Sequence, residues 1–150
     1  MKAFASTGLL VLSCALALAA CRPTAAVLSP ADFRRSVAGT EWELVELQGQ
    51  PAPVGAGGRR ATIRFDADSA RVTGFAGCNR YFGSYSLGAD EPALTFGAVG
   101  MTRMACAQGM DLERQLGNAL TQTKRYTLEE GRLTLRDATA PQATFVRRSP

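Results

Sequence analysis

The chain has 150 residues, with 17 Lys+Arg, 13 Asp+Glu, four Cys and no His. That length holds one domain. The missing His excludes Ser-His-Asp and Cys-His catalysis, histidine zinc ligation and an imidazole base. A formal charge of +4 is too small to argue for a nucleic-acid partner.

Residues 1–20, MKAFASTGLLVLSCALALAA, carry Lys2 followed by a short apolar run. This is the pattern of a secretory signal, and it is short for a membrane span. Leu18-Ala19-Ala20-Cys21 resembles a bacterial lipobox, whose cysteine is acylated and becomes the new N-terminus. A plain signal with Cys21 as a bystander is the alternative. Two or three acyl chains on Cys21 would hold the protein on a membrane, where one chain alone is marginal. By analogy with enteric-type lipoproteins, in which an Asp at this place retains the protein in the inner membrane, Arg22 implies the outer membrane with the domain facing the periplasm. With Lys2 removed, 16 basic residues face 13 acidic ones, a charge of +3. Fifteen of the 17 basic residues are Arg, a composition effect rather than a functional one.

Residues 21–38 read as a lipidated N-terminus and flexible linker, with Pro23 and Pro30 among small and polar neighbours. Ser29 and Pro30 suit the cap and first position of a short helical turn toward Arg35. The domain is expected over 39–150.

Alternation marks strands at Glu41 to Leu47, which holds Trp42, and at Ala61 to Asp66. Gly49 to Arg60 reads as a loop. Asp66 to Ser69 is turn chemistry. Further strands are expected at Ala70 to Phe75, Arg80 to Leu87 and Leu94 to Gly97. Met110 to Lys124 changes period: Leu112, Leu116, Ala119, Leu120 and Thr123 form one helical stripe, read as a core contact. Thr127-Leu128, Leu133 to Arg136 and Ala143 to Arg147 close the chain as a meander. Glu129-Glu130-Gly131 and Asp137 to Pro141 supply its turns. The expected fold is mainly β (α+β by content). It is a small, partly closed antiparallel barrel-like domain with one amphipathic helix packed on it.

Cys78 and Cys106 remain in the exported domain. In an oxidising envelope a structural disulfide is expected, with a 28-residue separation. Two buried thiols, or a metal or redox pair, stand as alternatives. Neither cysteine belongs to a C-x-x-C, and no carboxylate lies at ligand spacing. No cofactor and no metal are expected.

Around the cysteines run Val72-Thr73-Gly74-Phe75-Ala76-Gly77-Cys78-Asn79-Arg80-Tyr81-Phe82-Gly83-Ser84-Tyr85 and Gly100-Met101-Thr102-Arg103-Met104-Ala105-Cys106. These two motifs resemble the META domain family. Trp42-Glu43-Leu44, the helix after Cys106, and Leu133 with Leu135 extend the resemblance over about residues 39–147. It implies a barrel-like β domain of the bacterial envelope, linked to stress. For HslJ-like members it implies tolerance of novobiocin. It supplies no catalytic residues.

Gly74, Gly77 and Gly83 suit positive φ or close backbone approach. Asn79 suits a bulge or a side chain tying backbone groups. Asn79, Arg80, Thr102 and Arg103 form the candidate motif surface. Arg80 and Arg103 are expected to pair with carboxylates such as Asp66, Asp111 or Glu113; the alternative is an anion site. Of Tyr81, Phe82 and Tyr85, most are expected in the core and one or two at a groove rim. Met101 and Met104 are expected to pack.

The leading function is a non-enzymatic, lipid-anchored envelope protein, monomeric, that binds a protein or small ligand. A lipocalin-like carrier would need an apolar cavity of a few hundred Å³. A protease or lysozyme inhibitor would need an exposed loop, such as Pro51 to Arg60 or Asp137 to Pro141. An enzyme is poorly supported: the carboxylate pairs Asp66/Asp68 and Glu129/Glu130 lie in turns.

Overall fold

The computed structural model describes residues 28–89 and 92–148. The expectations for the signal and Cys21 lie outside those residues.

Alternating apolar residues generate an antiparallel sheet with one face inward. Its strands are β1 Glu41–Leu47, β2 Gln50–Pro51, β3 Thr62–Phe65, β4 Arg71–Phe75, β5 Arg80–Leu87, β6 Leu94–Phe96, β7 Gly100–Met101, β8 Arg125–Glu129, β9 Arg132–Arg136 and β10 Pro141–Arg147. The order is β6-β5-β4-β3-β1-β10-β9-β8, with β2 on β1 and β7 on β5. The end strands meet across the gap. Leu94 N donates to Lys124 O at 3.0 Å, and Tyr126 N to Pro92 O at 2.9 Å. The sheet is thus a nearly closed barrel, which removes the exposed edges an open sheet would carry. The two-residue β2 and β7 lie in segments too short for periodicity to reveal.

The helix α2, Met110–Gln122, packs against β1, β6, β9 and β10. Leu112, Leu116, Ala119, Leu120 and Thr123 are all buried, as the stripe requires. The β8–β9 turn places Glu130 at φ 48 and Gly131 at φ 75, the left-handed pair of a tight hairpin. Asp137 Oδ1 accepts from Thr139 N at 2.6 Å and Ala140 N at 2.7 Å. Asp66 Oδ1 likewise accepts from Asp68 N and Ser69 N. Both carboxylates build their own turns.

One expectation is corrected. The flexible linker does not run to residue 38. Helix α1, Pro30–Val37, is capped by Ser29, whose hydroxyl oxygen accepts from Asp32 N at 3.2 Å. Phe33 and Val37, one turn apart, are both 0% exposed. The Phe33 ring lies 5.3 Å from Phe65 and 4.6 Å from Tyr126, both edge-on. Trp42 Nε1 donates to Val37 O at 3.0 Å. The apolar side of α1 is therefore part of the core, and residues 29–38 belong to the folded body.

Phe33, Phe65, Tyr85 and Tyr126 fill the barrel interior, with Phe96 beside Phe65. An internal carrier site would need that space. Phe75 is not in this cluster. It lies on the outer side of β4, buried beneath Arg59.

Candidate functional site

The two motifs converge where β5 begins. A disulfide joins Cys78 to Cys106, with Cα atoms 5.9 Å apart. This bond removes the thiol and metal alternatives for the pair. Beside it, Asn79 is 2% exposed and uses its whole amide. Its Nδ2 donates to Met104 O at 3.1 Å and to Glu113 Oε1 at 3.2 Å. Its Oδ1 accepts from Thr102 Oγ1 at 2.8 Å and Met104 N at 2.7 Å. The Asn79 backbone N–H adds a 2.7 Å bond to Glu113 Oε2. Thr102 Oγ1 in turn accepts from Arg80 N at 3.2 Å. The amide's two donors and its acceptor oxygen are matched within a buried network.

Asn79 and Thr102 are thus joined in one fastening at the two motifs. An Asn next to a motif cysteine gives no sign of burial in sequence alone. Two glycines serve the same junction. Gly77 at φ 114 and Gly109 at φ 91 bring the β4–β5 turn against the start of α2. Ala56 N of the preceding loop donates to Gly77 O at 2.6 Å. At Gly74 a Cβ would collide with the Tyr81 ring, whose hydroxyl donates to Thr62 O at 2.9 Å. Burial lifts the Tyr81 phenol far above its usual range.

The expected ion pairs of Arg80 and Arg103 are corrected. Asp111 pairs with Arg114 at 2.8 Å, Glu113 is taken by Asn79, and Asp66 by its turn. Among the described residues no carboxylate pairs with Arg80 or Arg103. Met101 packs on the core, whereas Met104 is 57% exposed. The backbone of Met104 is the part that matters, because its N–H and C=O hold Asn79.

Arg80 opens instead onto a groove of about 450 Å³ on the outer face of β3–β5. Arg59, Arg64, Thr73, Phe82, Thr102 and Glu41 also line it. Arg103 is not among its lining residues. Cross-strand register sets the arrangement: Arg64 faces Thr73, and Thr73 faces Phe82. Phe75 faces both Thr62 and Arg80. Arg59 lies over the Phe75 ring, 4.0 Å from its centroid. Phe82 is 59% exposed, while its neighbours Tyr81 and Tyr85 are buried. This splits the aromatic trio between core and rim, as the alternation implied. Arg64 was readable as an outward residue of its strand. Arg59, in a Gly-rich loop, had no comparable signal.

These features define a disulfide-stapled, nearly closed barrel with a buried polar fastening at its two cysteine motifs. The META domain family model matches residues 35–150, and the chain belongs to that family. Two solved structures are similar. One, an NMR structure of a protein from Burkholderia xenovorans, is 27% identical with a TM-score of 0.63, covering 86% of this chain and 98% of its own. The other, also an NMR structure, is 25% identical with a TM-score of 0.58, covering 74% of this chain and 92% of its own. No curated protein matches the chain significantly.

Proposed function

We propose that the protein is a lipid-anchored envelope protein that acts by binding rather than by catalysis. It would sit as a monomer on the outer membrane, facing the periplasm, with Cys21 as the acylated residue. The Cys78–Cys106 bond at the family motif carries this reading, because such bonds persist in oxidising compartments. The Leu18-Ala19-Ala20-Cys21 sequence supports the anchor. A binding role is supported by what the turn carboxylates do. Asp66 and Asp137 are committed to backbone N–H groups rather than aimed across a cleft. A part in envelope stress or novobiocin tolerance follows from the resemblance to HslJ-like members.

Fractionation of cells producing the wild type and Cys21→Ala tests the proposal. The wild type is expected in the outer membrane, and the variant is expected to lose that location. Equal membrane retention of both would overturn the anchor. A deletion strain with unchanged growth in novobiocin and under envelope stress would overturn the physiological part.

A further inference from the structure

We propose that the groove outside β3–β5 binds a small, soluble organic phosphate, with the phosphate on the guanidiniums and a flat apolar part on Phe82. This rests on the reading of the domain as a binding module, but not on the anchor.

Three arginines line the groove, Arg59, Arg64 and Arg80. None has a carboxylate partner among the described residues. Glu41, the acidic residue of the lining, is held by Arg148 at 2.7 Å. Arg148 also reaches Glu43 at 3.4 Å. The local balance is therefore positive, on a chain whose other arginines include four in ion pairs with neighbours. Unpaired guanidinium forks match a phosphate's several acceptor oxygens.

The aromatic side is equally specific. Stacking on Phe75 occupies the face of Arg59 and leaves its N–H edge for a ligand. Phe82 stands exposed in the same cross-strand row as Arg64 and Thr73. Thr73 has a small side chain, so the row between Arg64 and Phe82 stays open. A volume of about 450 Å³ suits a small molecule. The site is concave, which favours such a ligand over a flat bilayer.

The test is titration of the mature chain, in neutral detergent, with 1-naphthyl phosphate, inorganic phosphate and neutral 1-naphthol. Saturable binding of 1-naphthyl phosphate is expected, stronger than that of either fragment and weakened by salt. Arg64→Gln/Arg80→Gln and, independently, Thr73→Glu are expected to weaken it about tenfold or more. All these side chains point outward, so unchanged circular dichroism and thermal midpoints are expected of the variants. Phe82→Ala is expected to reduce 1-naphthyl phosphate binding to the level of inorganic phosphate. Absence of saturable binding, or affinity unchanged in both Arg and Thr73 variants, would overturn the proposal. So would binding to anionic phospholipid vesicles without binding to 1-naphthyl phosphate. None of these outcomes bears on acylation of Cys21, which fractionation tests separately.

Discussion

Glu113 holds Asn79 at two points, accepting from its backbone N–H at 2.7 Å and from its side-chain amide at 3.2 Å. One carboxylate of α2 thereby fixes the start of β5. The same amide holds both polar backbone groups of Met104. Helix, strand and the segment before Cys106 are tied at a single buried residue. Asn79→Ala is expected to cost roughly 2–4 kcal/mol, because buried donors and acceptors lose their partners together. Asn79→Asp keeps the acceptor but sets a charge against Glu113, and it is expected to cost at least as much. Chemical denaturation of the three proteins measures this. A loss below about 0.5 kcal/mol would show that water replaces the amide.

The disulfide reinforces the same junction from the covalent side. It closes a loop with a sequence separation of 28. In the chain-entropy account, such a loop is worth about 3–4 kcal/mol. Cys78→Ala/Cys106→Ala is expected to lose that much in urea while keeping the far-UV spectrum of the barrel. A double variant as stable as the wild type would mean that the Asn79 network suffices alone.

Phe33 links the segment before the barrel to its interior. Phe33→Ala is expected to cost roughly 3–5 kcal/mol, the range for a buried aromatic truncated in place. Deleting residues 29–38 is expected to be worse, since it also removes the acceptor of Trp42 Nε1. Thermal midpoints of both variants check this. A midpoint unaffected by Phe33→Ala would return the segment to the status of a tether.

The contrast between α2 and α1 shows where sequence reading works. Leu112, Leu116, Ala119 and Leu120 repeat across three turns, and that repetition carries both the helix and its buried side. Helix α1 has only Phe33 and Val37 on its apolar side, and Pro23 with its neighbours suggests a linker. The helix start was visible at Ser29-Pro30, but two apolar residues do not establish burial. Strand alternation was equally legible for Ile63 with Phe65 and for Tyr81 with Tyr85. The site was less so. Arg80 appeared beside its cysteine, but Arg59 joins it only through a loop folded over Phe75. The role of Asn79 depends on Met104 and Glu113, which are 25 and 34 residues away in sequence.

Acid stability is set in part by the turn carboxylates. Asp66 is held below its ordinary value of 3.8, first by the Ser69 hydroxyl and then by the backbone N–H groups of Asp68 and Ser69. Asp137 is held below the same value by the N–H groups of Ala140 and Thr139. A depressed carboxyl in the fold binds its proton less readily than in the unfolded chain. Its contribution is full above the unfolded value, about 4, and is lost as pH falls through the folded one. Asp66→Asn/Asp137→Asn retains an acceptor oxygen at each turn and removes both titrations. Denaturation between neutral and strongly acidic pH is expected to show a shallower acid loss in this variant. An identical acid slope would place the titrating groups elsewhere.

The domain is stapled by a disulfide, and the proposed function carries it on an acylated Cys21. Intact mass of the mature, membrane-extracted protein tests it most directly, measured with and without reduction and alkylation. A chain beginning at Cys21 with a lipid-sized mass gain, and with Cys78 and Cys106 blocked until reduction, is expected. A chain with an unmodified Cys21 would contradict the anchor, and two free domain thiols would contradict the staple.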